Sequence, residues 1–358
     1  MSIIDKYIIK KFLGTFFFAI GLIIIIVIIF DISERIDDFL RNNAPLNEII
    51  FDYYLNFIPY FINLFSPLFT FIAVVFFTAK MASRSEIIAI LSNGISFKRL
   101  MLPYLLSATL LALLSFYLYN FLIPPANEKR LDFEYAYFRT RATYSDRNLH
   151  MQIKPNVYAY LESYNFKTNV GHRFALESFN PDGSYSKLSS RTARWDSLQG
   201  SWQLDNYIIR YIDGLTETAK EGTQLDTVIN LTPDGLERNV RNMDVMNYKQ
   251  LRKFIAQEKL KGSEDVVFYI VEKHRRIANP FATIILTFIG VSLSSRKLRG
   301  GIGMHLGAGL TISFSYILFM QITTTFATYG NLSPFISVWI PNAVFGLLGL
   351  YLLKSAPK

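Results

Sequence analysis

Residues 12–30 read FLGTFFFAIGLIIIIVIIF, 19 positions without a charge. As a helix rising 1.5 Å per residue, this run is about 29 Å long, the thickness of a bilayer's hydrocarbon core. That length predicts a membrane span. Lys6, Lys10 and Lys11 precede it as they would a signal peptide, but no small-x-small cleavage site follows, so the expectation is an uncleaved first span. The other apolar runs then fall into order. Residues 53–79 carry no charge and hold a second span, kinked or delimited by Pro59 and Pro67. A third lies within 100–123 and ends at Pro124-Pro125, and a fourth covers 277–295, closed by Arg296, Lys297 and Arg299. From 300 to 353 only His305 could carry charge, a length that suits two spans broken at 330–334. The total is six, with a polar loop expected over 31–52.

The formal charge of +9 would suggest nucleic acid if the basic residues formed one patch. They sit instead beside the apolar runs, where Lys and Arg set membrane orientation. The N-terminus, the 80–99 loop, the 296–299 loop and the C-terminus are basic, whereas the first loop is acidic and the Asn331 loop uncharged. This alternation predicts both termini on the cytoplasmic side, and the first loop and everything between the third and fourth spans outside. Cysteine is absent, which excludes disulfides, thiol catalysis and Cys-ligated metal.

Between residues 128 and 276 no stretch is long enough to span, and alternation replaces long apolar runs. NVYAYLESYNF, HRFALESF, RTARWDSL and SWQLDNYIIRYI predict strands, separated by the turn signals PDG, LQGS and DG. Trp195, Trp202 and Tyr207 are natural core or strand-face residues. The expected fold is therefore a polytopic α-helical membrane protein with six transmembrane helices and an extracytoplasmic all-β domain between helices 3 and 4. Its parts are residues 1–127 with spans 1–3, 128–245 as the β domain, 246–276 as a helical return, and 277–358 with spans 4–6.

The loop between spans 2 and 3 encodes a short amphipathic helix at about 83–94. Ser83 with Glu86 predicts a capping box, Asn93-Gly94 a left-handed stop, and Ile87, Ile88, Ile90 and Leu91 a partly apolar stripe. A helix of about ten residues is marginal alone, so it needs the membrane surface or another protein to lie against.

Signs of chemistry are few. The sequence has no GxxxxGK[ST] phosphate loop and no GxSxG elbow; its histidines, 150, 172, 274 and 305, lack metal-ligand spacing. No metal site is expected. The polar groups of the spans are mild: Asn63, Ser66 and Thr70 in the second, residues 321–325 in the fifth, with Gly303, Gly307 and Gly309 allowing close helix approach. Arg35, Arg41, Lys129 and Arg130 lie at the outer ends of the first and third spans. They either anchor those spans at the interface or bind an anionic head group together.

The order of these features resembles one family, the LptF/LptG lipopolysaccharide export permeases. The matching stretches run through the chain: DKYIIKKFLGTF and FDISERIDDF at either end of the first span, SEIIAILSNGIS in the loop helix, IPPAN after the third span, ARWDSLQGSWQLDN in the β domain, and EKHRRIANPFATIILTFIGVSLSSRKLRGGIG around the fourth span. The acidic end of the first span is more similar to the LptG half than to the LptF half. The resemblance implies a permease subunit of an ABC-type transporter in a Gram-negative inner membrane, with the β domain a periplasmic jellyroll. It implies a second permease subunit, a cytoplasmic ABC ATPase dimer that binds ATP and magnesium, periplasmic β-jellyroll bridge proteins, and lipopolysaccharide as cargo. No cofactor is expected in this chain. Arg84, Glu86, Ile87, Ile90 and Leu91 become the ATPase-docking residues, and Arg35, Arg41, Lys129 and Arg130 the cavity residues nearest the cargo. Val157, Ala159, Leu161, Phe174 and Leu176 would line an acyl-chain groove, or fill an ordinary core. The competing reading is a membrane receptor or scaffold with an outer β sensor.

Overall fold

The computed structural model describes residues 2–138, 147–236, 240–263, 265–296 and 301–354. The chain divides into two compact units, one comprising Met1–Phe138, Met243–Lys249 and Val267–Lys358, the other Arg139–Asn242 and Gln250–Val266.

The first unit is helical: α1 (Ile3–Arg41), α2 (Leu46–Ser83), α3 (Glu86–Ser92) and α4 (Phe97–Tyr137) before the second unit, and α6 (Val266–Ser294), α7 (Gly301–Tyr329) and α8 (Pro334–Lys354) after it. All except α3 are long and apolar enough to cross a membrane, six in number among the described residues.

Two expectations about span ends need correction. The acidic stretch 31–41 is not a loop, because α1 continues through it to Arg41, 39 residues in all. Asp31 and Arg35 pair one turn apart on that helix, and the break is confined to 42–45, where Asn43 takes φ 50°. The third span does not end at Pro124-Pro125 either. A π turn at Leu118–Leu122 comes just before them, and the prolines occupy the first positions of the next α segment, where a missing N–H costs no hydrogen bond. A second π turn, Ile49–Tyr54, similarly lies upstream of Pro59 in α2.

Packing follows the helical period. Ile8, Phe12, Phe16 and Ile20 of α1 form one stripe four residues apart and bury against Phe77 and Met81 of α2 and Leu100 and Tyr104 of α4. Deeper in α2, Phe71 is fully buried between two glycines. A Cβ added at Gly290 of α6 would meet its ring at 3.1 Å, and one at Gly309 of α7 at 3.3 Å. Of the three glycines expected to allow close approach, only Gly309 does so; Gly303 and Gly307 face open space.

The second unit is one antiparallel sheet, β1 (Leu149–Lys154), β2 (Val157–Asn165), β3 (Val170–Phe179), β4 (Tyr185–Asp196), β5 (Ser201–Asp213) and β6 (Thr216–Thr227), followed by α5 (Tyr248–Lys261). The strands pair strictly in chain order. The expected all-β domain is present, but the connections are a meander rather than the Greek-key order of a double-sheet jelly roll.

The sheet also has a crease. Opposed pairs are lacking at Glu162, Arg173, Arg191, Asn206 and Thr223, one position on each of β2 to β6. Arg173 and Asn206 take positive φ there, 49° and 51°. On one side of the crease the row Leu161, Phe174, Ser190, Tyr207 and Gly222 is in register; on the other, Tyr164, Gly171, Ala193, Leu204 and Leu225. Residues three apart on a flat strand face opposite ways, yet Leu161 and Tyr164 share one core. The crease resets the alternation so that both rows face inward. Trp202 fills that core: it is fully buried, its indole Nε1 donates to Leu231 O at 2.7 Å, and its ring stacks parallel to Phe174. Ala159, Leu161 and Phe174 are likewise buried in this cluster. Val157 and Leu176 pack against the same cluster, partly buried.

Candidate functional site

Three places in the helical unit concentrate polar groups. The first is α3. Its stop forms as expected, with Gly94 at φ 82° and its N–H bonded to Leu91 O at 3.0 Å. Its start does not. Ser83 is the last residue of α2, where its hydroxyl donates back to Lys80 O at 2.9 Å, and Ser85, at φ 60°, precedes α3 without a side-chain cap. The Ser83–Glu86 capping box is therefore absent, because α2 runs on into the residues that would have made it. Glu86 instead accepts a hydrogen bond from the Tyr7 hydroxyl of α1 at 3.3 Å. Ile87 is 1% exposed inside the cluster of Ile8, Phe12 and Leu100, and Ile90 and Leu91 pack against the same cluster. Of the five expected docking residues, Ile87, Ile90 and Leu91 thus support the helix from beneath. Arg84 is exposed and Glu86 half-buried, with Ile88 and Ala89 completing the outward face.

The second place is the opposite end of α1. Asp31 is the hub: Arg35 Nε pairs with it at 3.0 Å, and the Tyr53 and Tyr54 hydroxyls donate to its two oxygens at 3.2 and 3.1 Å. The Arg35 guanidinium lies 4.6 Å from the centroid of Phe138, in a ring cluster with Phe39, Tyr53 and Phe133. Arg130 of α4 pairs with Glu134 at 3.6 Å and lies over the Tyr60 ring. Arg35 and Arg130 are thus already engaged with carboxylates, whereas Arg41 and Lys129 are exposed.

The third place was not singled out from the sequence. At the start of α6, Arg276 is 2% exposed and Glu272 3%. Arg276 spends its donors on Glu272 Oε1 at 3.1 Å, Met246 O at 2.6 Å and Met243 O at 2.7 Å. Arg275 pairs with Glu272 Oε2 at 2.9 Å, and Asn127 of α4 donates to Asp244 O at 3.2 Å. The side chain of Asp244 is pushed up to about 6 by burial first and by Glu272 second. The available signal was EKHRR running directly into an apolar span: charges so placed must be paired or exposed. Among the described residues no group of three His, Asp or Glu could hold a metal ion.

A six-span helical unit, a β sheet inserted after the third span and a short surface helix between the second and third form a combination that can be set against known proteins. The family described as lipopolysaccharide export system permease LptF/LptG matches residues 6–355. The chain belongs to the LptF/LptG family. Among curated proteins it is similar to the lipopolysaccharide export system permease protein LptG of Escherichia coli K12, at 22% identity over 309 residues, which cover 83% of this chain and 82% of the relative. The same protein of E. coli O6:H1 strain CFT073 matches to the same extent. Membership makes the chain a polytopic permease of the lipopolysaccharide export family.

Proposed function

We propose that this LptF/LptG permease is one half of an ABC-type transporter that takes lipopolysaccharide from the outer leaflet of the inner membrane. The cargo would enter a cavity between two permease subunits and pass by way of the periplasmic β unit to bridge proteins. A separate cytoplasmic ATPase dimer would supply the work, and ATP and magnesium would bind there. Both termini and α3 would face the cytoplasm, in keeping with the basic residues beside them.

The observation that carries this reading is α3. Seven residues cannot hold a helix unaided, and here Ile87, Ile90 and Leu91 bind it to the spans while Arg84, Ile88 and Ala89 stay outward. A helix built on this plan offers a firm, small, partly apolar face to a partner. Because Glu86 has no capping duty, its charge is available to a partner cation in exchange for the Tyr7 hydroxyl. Docking transmits work only if α3 holds the ATPase differently in its two states.

Detergent co-purification tests the reading. The wild-type chain should bring down a P-loop ATPase and lipopolysaccharide; Glu86→Gln and Ile88→Asp should lose the ATPase while the chain stays folded. Retention of the ATPase by both variants would remove α3 as the dock.

A further inference from the structure

We infer that α1 belongs to the coupling device around α3, held there by a clamp between Asp5 and Arg99. This rests on the docking reading of α3 and extends it to a helix not joined to α3 in sequence.

Two contacts flank α3, and both reach α1. At its start the Tyr7 hydroxyl donates to Glu86 at 3.3 Å. Just beyond its end, in the first turn of α4, Arg99 makes a two-pronged pair with Asp5: its two terminal nitrogens donate to the two carboxylate oxygens, each at 2.7 Å. A pair of this kind fixes angle as well as distance. Asp5 is 4% exposed and cannot turn away freely, because it also accepts from the Ser2 N–H at 2.8 Å while its own N–H bonds the Ser2 hydroxyl. Those bonds are the N-terminal capping box of α1. The clamp and the cap are thus one structure, and to release Arg99 the carboxylate must loosen the start of α1. Between the flanking contacts, Ile8 and Phe12 of α1 share a packed cluster with Ile87 of α3 and Leu100 of α4.

Beyond this end α1 is held along one face only: Phe16, Ile20 and Ile24 are buried, whereas Phe17, Phe18, Leu22, Ile25, Ile26 and Ile29 are exposed. The next polar attachment is Asp31, with Tyr53 and Tyr54 of α2. A long helix gripped at one end and packed along a single stripe carries a displacement of the gripped end along its length. Pushing α3 therefore moves α1 directly, and with it the Asp31–Arg35 end, instead of acting only through α2 and α4. Asp5, Arg99 and Tyr7 are positioning residues in this scheme.

The test uses the complete transporter, with ATPase and second permease subunit, in lipopolysaccharide-containing proteoliposomes, measuring ATP hydrolysis and lipid released separately. With Arg99→Gln, ATPase co-purification and hydrolysis should stay within about twofold of wild type, while lipid released per ATP should fall about fivefold or more, the low end for a coupling between sites. Tyr7→Phe should lower the same ratio by a smaller factor. Because the chain has no cysteine, Asp5→Cys with Arg99→Cys can be joined by a short bismaleimide, and the bridged pair should recover most of the ratio. An unchanged ratio in Arg99→Gln, a loss of hydrolysis in proportion to release, or no recovery on bridging overturns the clamp. If the wild-type chain itself recruits no ATPase, the docking reading fails instead.

Discussion

Arg276 offers the sharpest test of how the helical unit holds the chain where it returns from the β unit. Its guanidinium grips two carbonyls of the 243–246 segment, Met243 O and Met246 O, at 2.7 and 2.6 Å, and braces itself on Glu272. Hydrogen bonds to a charged group contribute about 1.5–3 kcal/mol each net. A lysine at this position has the charge but not the planar fork, so it can keep one carbonyl and not both. Arg276→Lys should therefore lower the local opening free energy of the segment by about 1.5–3 kcal/mol, and Arg276→Gln by up to about twice that. At tenfold per 1.4 kcal/mol, the lysine variant should raise amide exchange in the segment by about 10–150-fold. The amide to follow is Met246, whose N–H bonds Met243 O at 3.3 Å. Exchange is read by mass spectrometry in detergent, with Trp202-containing peptides of the β unit as an internal control. Arg275→Gln serves as the charge-matched comparison for Arg276→Gln, because Arg275 pairs with Glu272 at 2.9 Å and should leave Met246 nearly unaffected. If Arg276→Lys exchanges at the wild-type rate, or if Arg275→Gln has the larger effect, the carbonyl grip is not what holds the segment.

Three further outcomes follow from particular contacts. Asp31→Asn removes the counter-ion of Arg35, so the purified permease should retain more lipopolysaccharide at a given salt concentration; equal or lower retention would show that Arg35 does not meet the lipid. Asp244 has its carboxyl pushed up to about 6, above the usual carboxylate range. The stability it contributes is therefore fully present below about pH 4 and lost as pH rises to about 6, and Asp244→Asn should flatten the pH dependence of thermal stability between about pH 4 and 6 and raise stability above that window. Trp202→Phe strands the Leu231 carbonyl, now bonded at 2.7 Å, and should cost about 1–3 kcal/mol in the full chain, read as a lower unfolding midpoint by fluorescence. Trp195→Phe, at a half-buried position, should cost less.

The spans were legible because nothing competes with a run such as 12–30 for a bilayer, and the strands because alternation survives in segments such as 157–161. The crease was not legible. It resets the phase of five strands at one line, and no single strand reveals that its neighbours break at the same place. Leu161 and Tyr164 look opposed in sequence and are co-facial in the sheet. At α3 the stop was readable because Gly94 decides it locally. The start was not, because Ser83 could serve either helix and the tertiary packing of α2 determined which. The spacing of the apolar stripe was legible, but not what it packs against: Ile87, Ile90 and Leu91 join the chain's own core, where the sequence pointed to the membrane surface or another protein.

At the outer ends of the first and third spans the charged residues failed to read as helix for a different reason, whereas 246–276 did read as a helical return, and that reason bears on function. Asp31 with Arg35, Arg130 with Glu134 and Glu272 with Arg276 are all one helical turn apart. Such spacing supports a helix only if the chain is already helical there, and in sequence the first two pairs sit where a polar loop is equally reasonable. What decides between the two is remote: Tyr53 and Tyr54 come 22 and 23 residues after Asp31 and bind its carboxylate, and Met243 and Met246 come 33 and 30 residues before Arg276 and accept its donors. Arg35 and Arg130 therefore carry internal counter-ions before any cargo arrives. A phosphate approaching Arg35 has to displace Asp31, so binding exchanges one ion pair for another and gains only the difference. An importer built for capture would be weakened by that arrangement. Under the proposed export reading the lipid must be let go on every cycle, and Asp31, already paired with Arg35, would be the group that takes Arg35 back.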